Sequence, residues 1–224
     1  MFVKQEGPFI GSVYKKAVYR RYTDDTFTKQ VPSDAHSGIL GPTIQADVGD
    51  QIRVVFKNMA SREYSMHPHG LALDNSTLDG TYARKVQPGD KVTYTWNVPD
   101  ESGPTDGDAD CVLYAYYSDA DRVRDTHSGL IGPLVVCKRG VLAIAGERTD
   151  VDREFVLLFN VFDENQSWYL DENIQQYSPD PNAVDKEDGE FEESNLMHGM
   201  FSSLGFRKTC MAMVSLPYPG DPCI

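Results

Sequence analysis

The alternation in Lys91-Val-Thr-Tyr-Thr-Trp-Asn-Val98 constrains this chain most, because Val92, Tyr94, Trp96 and Val98 all fall on one side of a period of two. Such a strand must bury its apolar side against a second layer, so the chain has to build packed sheets. Gln51-Ile-Arg-Val-Val-Phe-Lys57 repeats the pattern, with Ile52, Val54 and Phe56 set against Gln51, Arg53 and Lys57, as in a half-buried antiparallel strand. Further strands are expected over residues 11–22, 43–48, 111–118, 134–137 and 153–162. Residues 71–87 and 178–194 read as loops, 119–124 as a polar connection and 171–177 as a helical turn or two. Short strands punctuated by Gly49-Asp50 and Pro88-Gly-Asp90 point to an all-β sandwich.

A chain of 224 residues can hold one large β domain, or a domain of about 150 residues and a piece of another. The break is expected near residue 145, where a connection precedes the apolar run Arg153-Glu-Phe-Val-Leu-Leu-Phe159. Only 211–216 then hints at another strand, too little to close a second core, so 146–224 reads as an incomplete unit with a divergent tail. The heptapeptides His36-Ser-Gly-Ile-Leu-Gly-Pro42 and His127-Ser-Gly-Leu-Ile-Gly-Pro133 differ by one exchange and predict two similar loop-to-strand corners.

Thirty-four acidic residues against 21 basic ones give a net charge of −13, which argues against nucleic acid or an anionic membrane surface as partner. No apolar run approaches the ~18 residues of a membrane helix. The start, Met1-Phe-Val-Lys-Gln-Glu-Gly7, has no leader pattern and taken literally places the chain in the cytoplasm. Cys111 and Cys137, which flank strand-like sequence as a domain disulfide does, favour an extracellular protein instead. So do the N-glycosylation triplets Asn75-Ser-Thr77 and Asn165-Gln-Ser167, with Met1 then not the true beginning.

The chemistry-bearing stretch is Tyr64-Ser-Met-His-Pro-His-Gly70. A period of two sends His67 and His69 to one face, where two imidazoles can reach one metal ion. Pro68 removes a ladder donor and predicts a strand end or edge. Two ligands do not complete a copper or zinc site, so the pair is either a loose half-site or a set of imidazoles satisfied by water and backbone. Met66 and Met197 read as core packing, His36 and His127 as corner residues bonded to loop backbone, and no role is assigned to His198. The acidic clusters Asp106, Asp108, Asp110 and Glu187 to Glu193 read as solvated faces, with calcium or iron ligation the competing reading.

Several blocks together, Gly38-Ile-Leu-Gly-Pro-Thr-Ile-Gln-Ala-Asp-Val-Gly-Asp50, Lys57-Asn-Met-Ala-Ser-Arg62, His67-Pro-His-Gly70, Ser128-Gly-Leu-Ile-Gly-Pro-Leu-Val-Val-Cys137, Val161-Phe-Asp-Glu-Asn-Gln-Ser-Trp-Tyr-Leu170 and Glu193-Ser-Asn-Leu-Met-His198, resemble the multicopper oxidases of the ceruloplasmin and hephaestin class. They also resemble the A domains of coagulation factors V and VIII. The resemblance implies cupredoxin-like Greek-key sandwiches, with one over 1–145, the pairing of Cys111 with Cys137, and an extracellular setting as a secreted protein or the ectodomain of a membrane-anchored one. It implies copper, with Fe2+ and O2 as substrates and further cupredoxin domains as partners. His67 and His69 match one His-x-His pair of the family's three-copper cluster, but the second pair falls at Tyr117 and Asp119. The family's mononuclear copper ligands have no match here. The chain by itself is therefore expected to be inactive, and a non-enzymatic interaction module, as in the coagulation cofactors, is the alternative.

Overall fold

The computed structural model describes residues 5–33, 37–80, 82–143, 146, 148, 150–151 and 153–196, together with the backbone of 210–216. The expectations for His36, Met197 and His198 lie outside the described residues. β7 (Lys91–Asn97) runs antiparallel between β2 (Gln51–Lys57) and β4 (Ala72–Leu73). The facing sheet has the order β1 (Ile44–Asp47), β9 (Ile131–Cys137), β8 (Cys111–Tyr117) and β3 (His67–Pro68). Tyr94 and Trp96 of β7 meet Tyr116 of β8 and Leu134 of β9 in one core that also takes Tyr19, Tyr64 and Met66. Tyr94, Trp96 and Tyr116 are wholly buried, and each large apolar side chain so removed from water contributes about 2–3 kcal/mol. This is an all-β, cupredoxin-like sandwich, and the alternating face of β7 supplies its centre.

The repeated heptapeptides have a joint purpose. β1 and β9 are parallel neighbours with Ile44 opposite Leu134, so the two Gly-Pro corners sit side by side at the start of both strands. A Cβ at Gly41 would lie 2.3 Å from the Tyr116 hydroxyl oxygen, and one at Gly132 would lie 2.1 Å from Tyr116 Cζ. Both glycines leave room for that ring, whose hydroxyl donates to Pro42 O at 2.6 Å. Cys111 and Cys137 face each other across β8 and β9 and form a buried disulfide.

Four expectations change. Residues 11–22 are extended but join no sheet. Their backbone bonds instead go out singly, Ala17 N to Ser128 O at 2.9 Å and Lys15 N to the Asn173 side chain at 2.8 Å. Residues 119–124 run into the helix α1 (Arg122–His127), because Asp121 caps it by accepting from Arg124 N. The acidic 178–194 stretch contains α3 (Gly189–Ser194), capped in the same way by Asp188, and its Phe191 is buried. The 71–87 loop also carries the two-residue strands β5 (Leu78–Asp79) and β6 (Tyr82–Ala83).

Beyond residue 152, β10 (Arg153–Phe159) pairs antiparallel with β11 (Cys210–Leu216). α2 (Leu170–Tyr177) and α3 pack Ile174 and Phe191 against Phe9 and Ile10 from the chain's beginning. A polar seam joins this part to the sandwich. Lys16 forms a buried ion pair with Glu164, Trp168 Nε1 donates to Asp125 at 2.8 Å, and Asp163 N donates to His127 Nδ1 at 3.0 Å.

Candidate metal centre

β3 is an edge strand of two residues, as Pro68 requires. His67 pairs with Tyr117 of β8, and His69 N donates to Ala115 O at 2.8 Å, so both histidines are fixed along one strand. Pro68 is buried between them, while His67 is partly exposed and His69 exposed. Gly70 follows at φ +80°, and a Cβ there would lie 2.5 Å from the Tyr114 ring. Only glycine therefore lets Tyr114 lie beside His69, with ring centroids 6.2 Å apart.

The His67 imidazole is already engaged. It stacks on Tyr117 with centroids 5.5 Å apart and planes 28° from parallel. Its Nδ1 lies 3.0 Å from Asp119 Oδ2, close but out of line for a full hydrogen bond. Asp119 is itself engaged by neighbouring protein groups. It accepts from Ser65 Oγ and from Ala83 N at 3.0 Å, and Asp119 N donates back to Ser65 Oγ at 2.9 Å. Burial opposes charge on this carboxyl, but the contacts to His67, Ser65 and Ala83 outweigh it and hold the pKa below the usual carboxylate value. Tyr117 goes the other way. Burial raises its phenol above the ordinary value despite the Arg122 guanidinium 4.6 Å from its ring centroid.

This donor set does not fit a three-copper cluster. Where a second pair of imidazoles would have to stand there are a phenol and a carboxylate that accepts from Ser65 Oγ and Ala83 N. Among the described residues, no three of His, Cys, Asp and Glu come together as a metal-holding group. The acidic clusters do not converge either. Asp108 accepts from Thr105 N at 2.8 Å, Asp110 pairs with Lys138 at 2.8 Å, and Glu190 and Glu192 lie in the first turn of α3. Met66 lies in the sandwich core.

Sequence reasoning identified His67, His69, Tyr117 and Asp119 but missed Ser65 and Ala83. Ser65 lay unremarked inside the quoted motif, and no signal marks Ala83, whose backbone N–H reaches Asp119 only through the short β5–β6 hairpin. Of the glycosylation triplets, Asn75 is exposed at the start of a 3-10 turn, whereas the Asn165 side chain is held in a hydrogen-bond network.

The chain is 50% identical over 203 residues to the ceruloplasmin of Mus musculus, covering 89% of this chain and 18% of that protein. It is 49% identical over 208 residues to the hephaestin of Rattus norvegicus, covering 91% of this chain and 18% of that one. Against the protein named ferroxidase HEPHL1 of Homo sapiens the identity is 47% over 211 residues, with 89% and 18% covered. The chain thus spans under a fifth of the length of these relatives. The multicopper oxidase family pattern matches residues 20–140, more than half of the chain and all of both facing sheets, and this chain belongs to the multicopper oxidase family.

Proposed function

We propose that the chain is one portion of an extracellular, ferroxidase-type multicopper oxidase that oxidises Fe2+ and reduces O2 to water. Residues 1–145 form one cupredoxin-like domain in it and 146–224 open the next. The observation that carries this reading is identity near one half, along almost the whole chain, to proteins named ceruloplasmin, hephaestin and ferroxidase. No described helix is long and apolar enough to cross a membrane.

Within that protein this stretch acts as scaffold, in contact with the remaining cupredoxin domains. His67 and His69 present two imidazoles and nothing further, which makes them a loose contact for Cu2+ at most. Their face is held by Tyr117 and Asp119, so the isolated chain has no turnover. A purely structural or interaction role, like that of the coagulation factor A domains, is the second reading, and the protein partners of Asp119 favour it.

The test is copper content after loading and extensive dialysis, read by EPR, alongside Fe2+ oxidation in air. Wild type is compared with the His67→Ala, His69→Ala double variant. The expected result is sub-stoichiometric copper and no oxidation above the blank. Near-stoichiometric copper lost in the double variant would overturn the scaffold assignment. A longer polypeptide of the relatives' extent that carries this stretch is expected to oxidise Fe2+, and one that binds no copper at all would sink the ferroxidase reading and leave the structural one.

A further inference from the structure

We propose that Asn75 carries an N-linked oligosaccharide, and that Asn165, which also opens an acceptor triplet, stays bare because its amide is a structural clamp. Both triplets satisfy the Asn-X-Ser/Thr pattern, Asn75-Ser-Thr77 ending in Thr and Asn165-Gln-Ser167 in Ser. Their side chains are not placed alike.

Asn75 is exposed at the first position of a 3-10 turn. The turn is held by its neighbours. Asp74 accepts from Ser76 N at 2.9 Å and from Ser76 Oγ at 2.5 Å, while Thr77 Oγ1 donates to Asp74 O at 2.7 Å. The Asn75 amide takes no part in this, and it has no hydrogen-bond partner among the described residues. A sugar attached there extends into solvent and breaks nothing.

Asn165 is bonded through both its amide nitrogen and its amide oxygen. Its Nδ2 donates to Asp163 Oδ1 at 3.0 Å and to Glu192 O at 2.9 Å, and its Oδ1 accepts from Asn195 Nδ2 at 2.9 Å. Both amide hydrogens are therefore in use, and Asn195 is wholly buried. The hydroxyl residues that complete the two triplets, Thr77 and Ser167, are both buried and hydrogen-bonded, so the difference between the sites lies in the asparagine amides alone. The clamp ties the turn after residue 163 to the end of α3, beside the bridge between Asp163 and Leu196.

The attachment step makes the conflict explicit. The oligosaccharide comes from a polyprenyl-diphosphate-linked donor supplied in the secretory pathway. A bond forms between Asn Nδ2 and sugar C1, the bond from C1 to the diphosphate oxygen breaks, one amide proton leaves, and the polyprenyl diphosphate departs. At Asn75 the lost proton holds no protein group among the described residues. At Asn165 it is one of the two that hold Asp163 and Glu192, and a bulky sugar stands in its place. Glu192 and Asn195 follow Asn165 by 27 and 30 residues, so the amide is free while the chain emerges and caged once those residues arrive. A sugar placed early keeps the cage from closing. Folded copies are then those with Asn165 bare.

The inference rests on the extracellular reading above, so its test imposes the compartment. The full chain is expressed in animal cells behind an added secretory signal, and the sugars are released by amidase in 18O-labelled water to mark each acceptor. The soluble and retained fractions are mapped by mass spectrometry for wild type, Asn75→Gln and Asn195→Ala. The expected result is a mark on Asn75 in nearly every soluble copy, lost in Asn75→Gln, with Asn165 marked only in the retained fraction. Asn195→Ala, which opens the cage without touching the triplet, raises the marked fraction at Asn165 several-fold. Equal marking of Asn75 and Asn165 in soluble, cooperatively melting protein overturns the clamp, and an unmarked Asn75 overturns the acceptor. Because secretion is imposed, neither outcome bears on where the natural protein resides. That is decided by locating the protein in its own cells.

Discussion

Replacing Asp119 by Ala removes the carboxylate on which Ser65, Ala83 and His67 converge. The Asp119 side chain is 6% exposed, and Ser65 and Ala83 are wholly buried, so water does not readily replace it. The Ala83 N–H and the Ser65 hydroxyl lose an acceptor in a buried place, at about 1–3 kcal/mol each. Ser65 keeps its bond from Asp119 N, which places the total at about 3 kcal/mol. For a chain of this length that corresponds to a melting temperature lower by roughly 6–12 °C. Asp119→Asn keeps one acceptor but turns an amide donor toward another donor, so about half the loss is expected. Melting followed by near-ultraviolet circular dichroism at neutral pH reads both variants, and wild type repeated with excess Cu2+ should not shift upward. An Ala variant within about 1 °C of wild type, well under the scale for one lost kcal/mol, would show that the Asp119 network does not hold this face together.

Lys16 and Glu164 are paired in the seam with side-chain exposures of 11% and 0%. Burial lowers the Lys16 pKa and raises that of Glu164 against their mutual attraction, so each is poorly tolerated alone. Lys16→Met is expected to cost about 3–5 kcal/mol in urea unfolding, and Lys16→Met with Glu164→Leu to recover most of it. Additive losses in that cycle would dismiss the coupling. Burial also raises the Asp125 carboxyl above its usual value, despite hydrogen bonds from Asp121 N, Ser118 and Trp168. A folded pKa above the unfolded one means that the contribution is complete below about pH 4 and is lost as pH rises through the folded value. The stability advantage of wild type over Asp125→Asn should thus be larger near pH 4 than at pH 7, and an advantage that grows with pH reverses the assignment. Removing the disulfide with Cys111→Ala and Cys137→Ala opens a loop of sequence separation 26 and is expected to cost about 3 kcal/mol in denaturant unfolding.

The strands with clean alternation were legible because burial of one face is written residue by residue. β2 and β7 appear within a residue of where period two puts them. The helices α1 and α3 were not legible. Each is six residues long, carries one apolar buried face position at most, and is started by a single capping aspartate that in sequence looks like any turn residue. The 11–22 segment has the composition of a strand but no sheet partner, since strand propensity describes the fit of side chains to a pleated surface and does not say whether a neighbour is present. At the histidine pair, the spacing fixed a shared face, while the two imidazoles turned out to differ in exposure because only His67 lies against Tyr117 and Asp119.

The sequence by itself determined the two-layer β architecture, the pairing of the cysteines, the family resemblance and the face shared by His67 and His69, since all of these follow from local periodicity or from motifs read along the chain. Tertiary structure alone decided what fills that face, why the two Gly-Pro corners recur, and which asparagine amide is free. Each depends on atoms brought together from distant positions, as Asp119 meets Ala83, Gly41 and Gly132 meet Tyr116, and Asn165 meets Glu192 and Asn195. A hydrogen bond or a steric gap of that kind exists only once the loops between its partners have closed, and no residue type announces it beforehand.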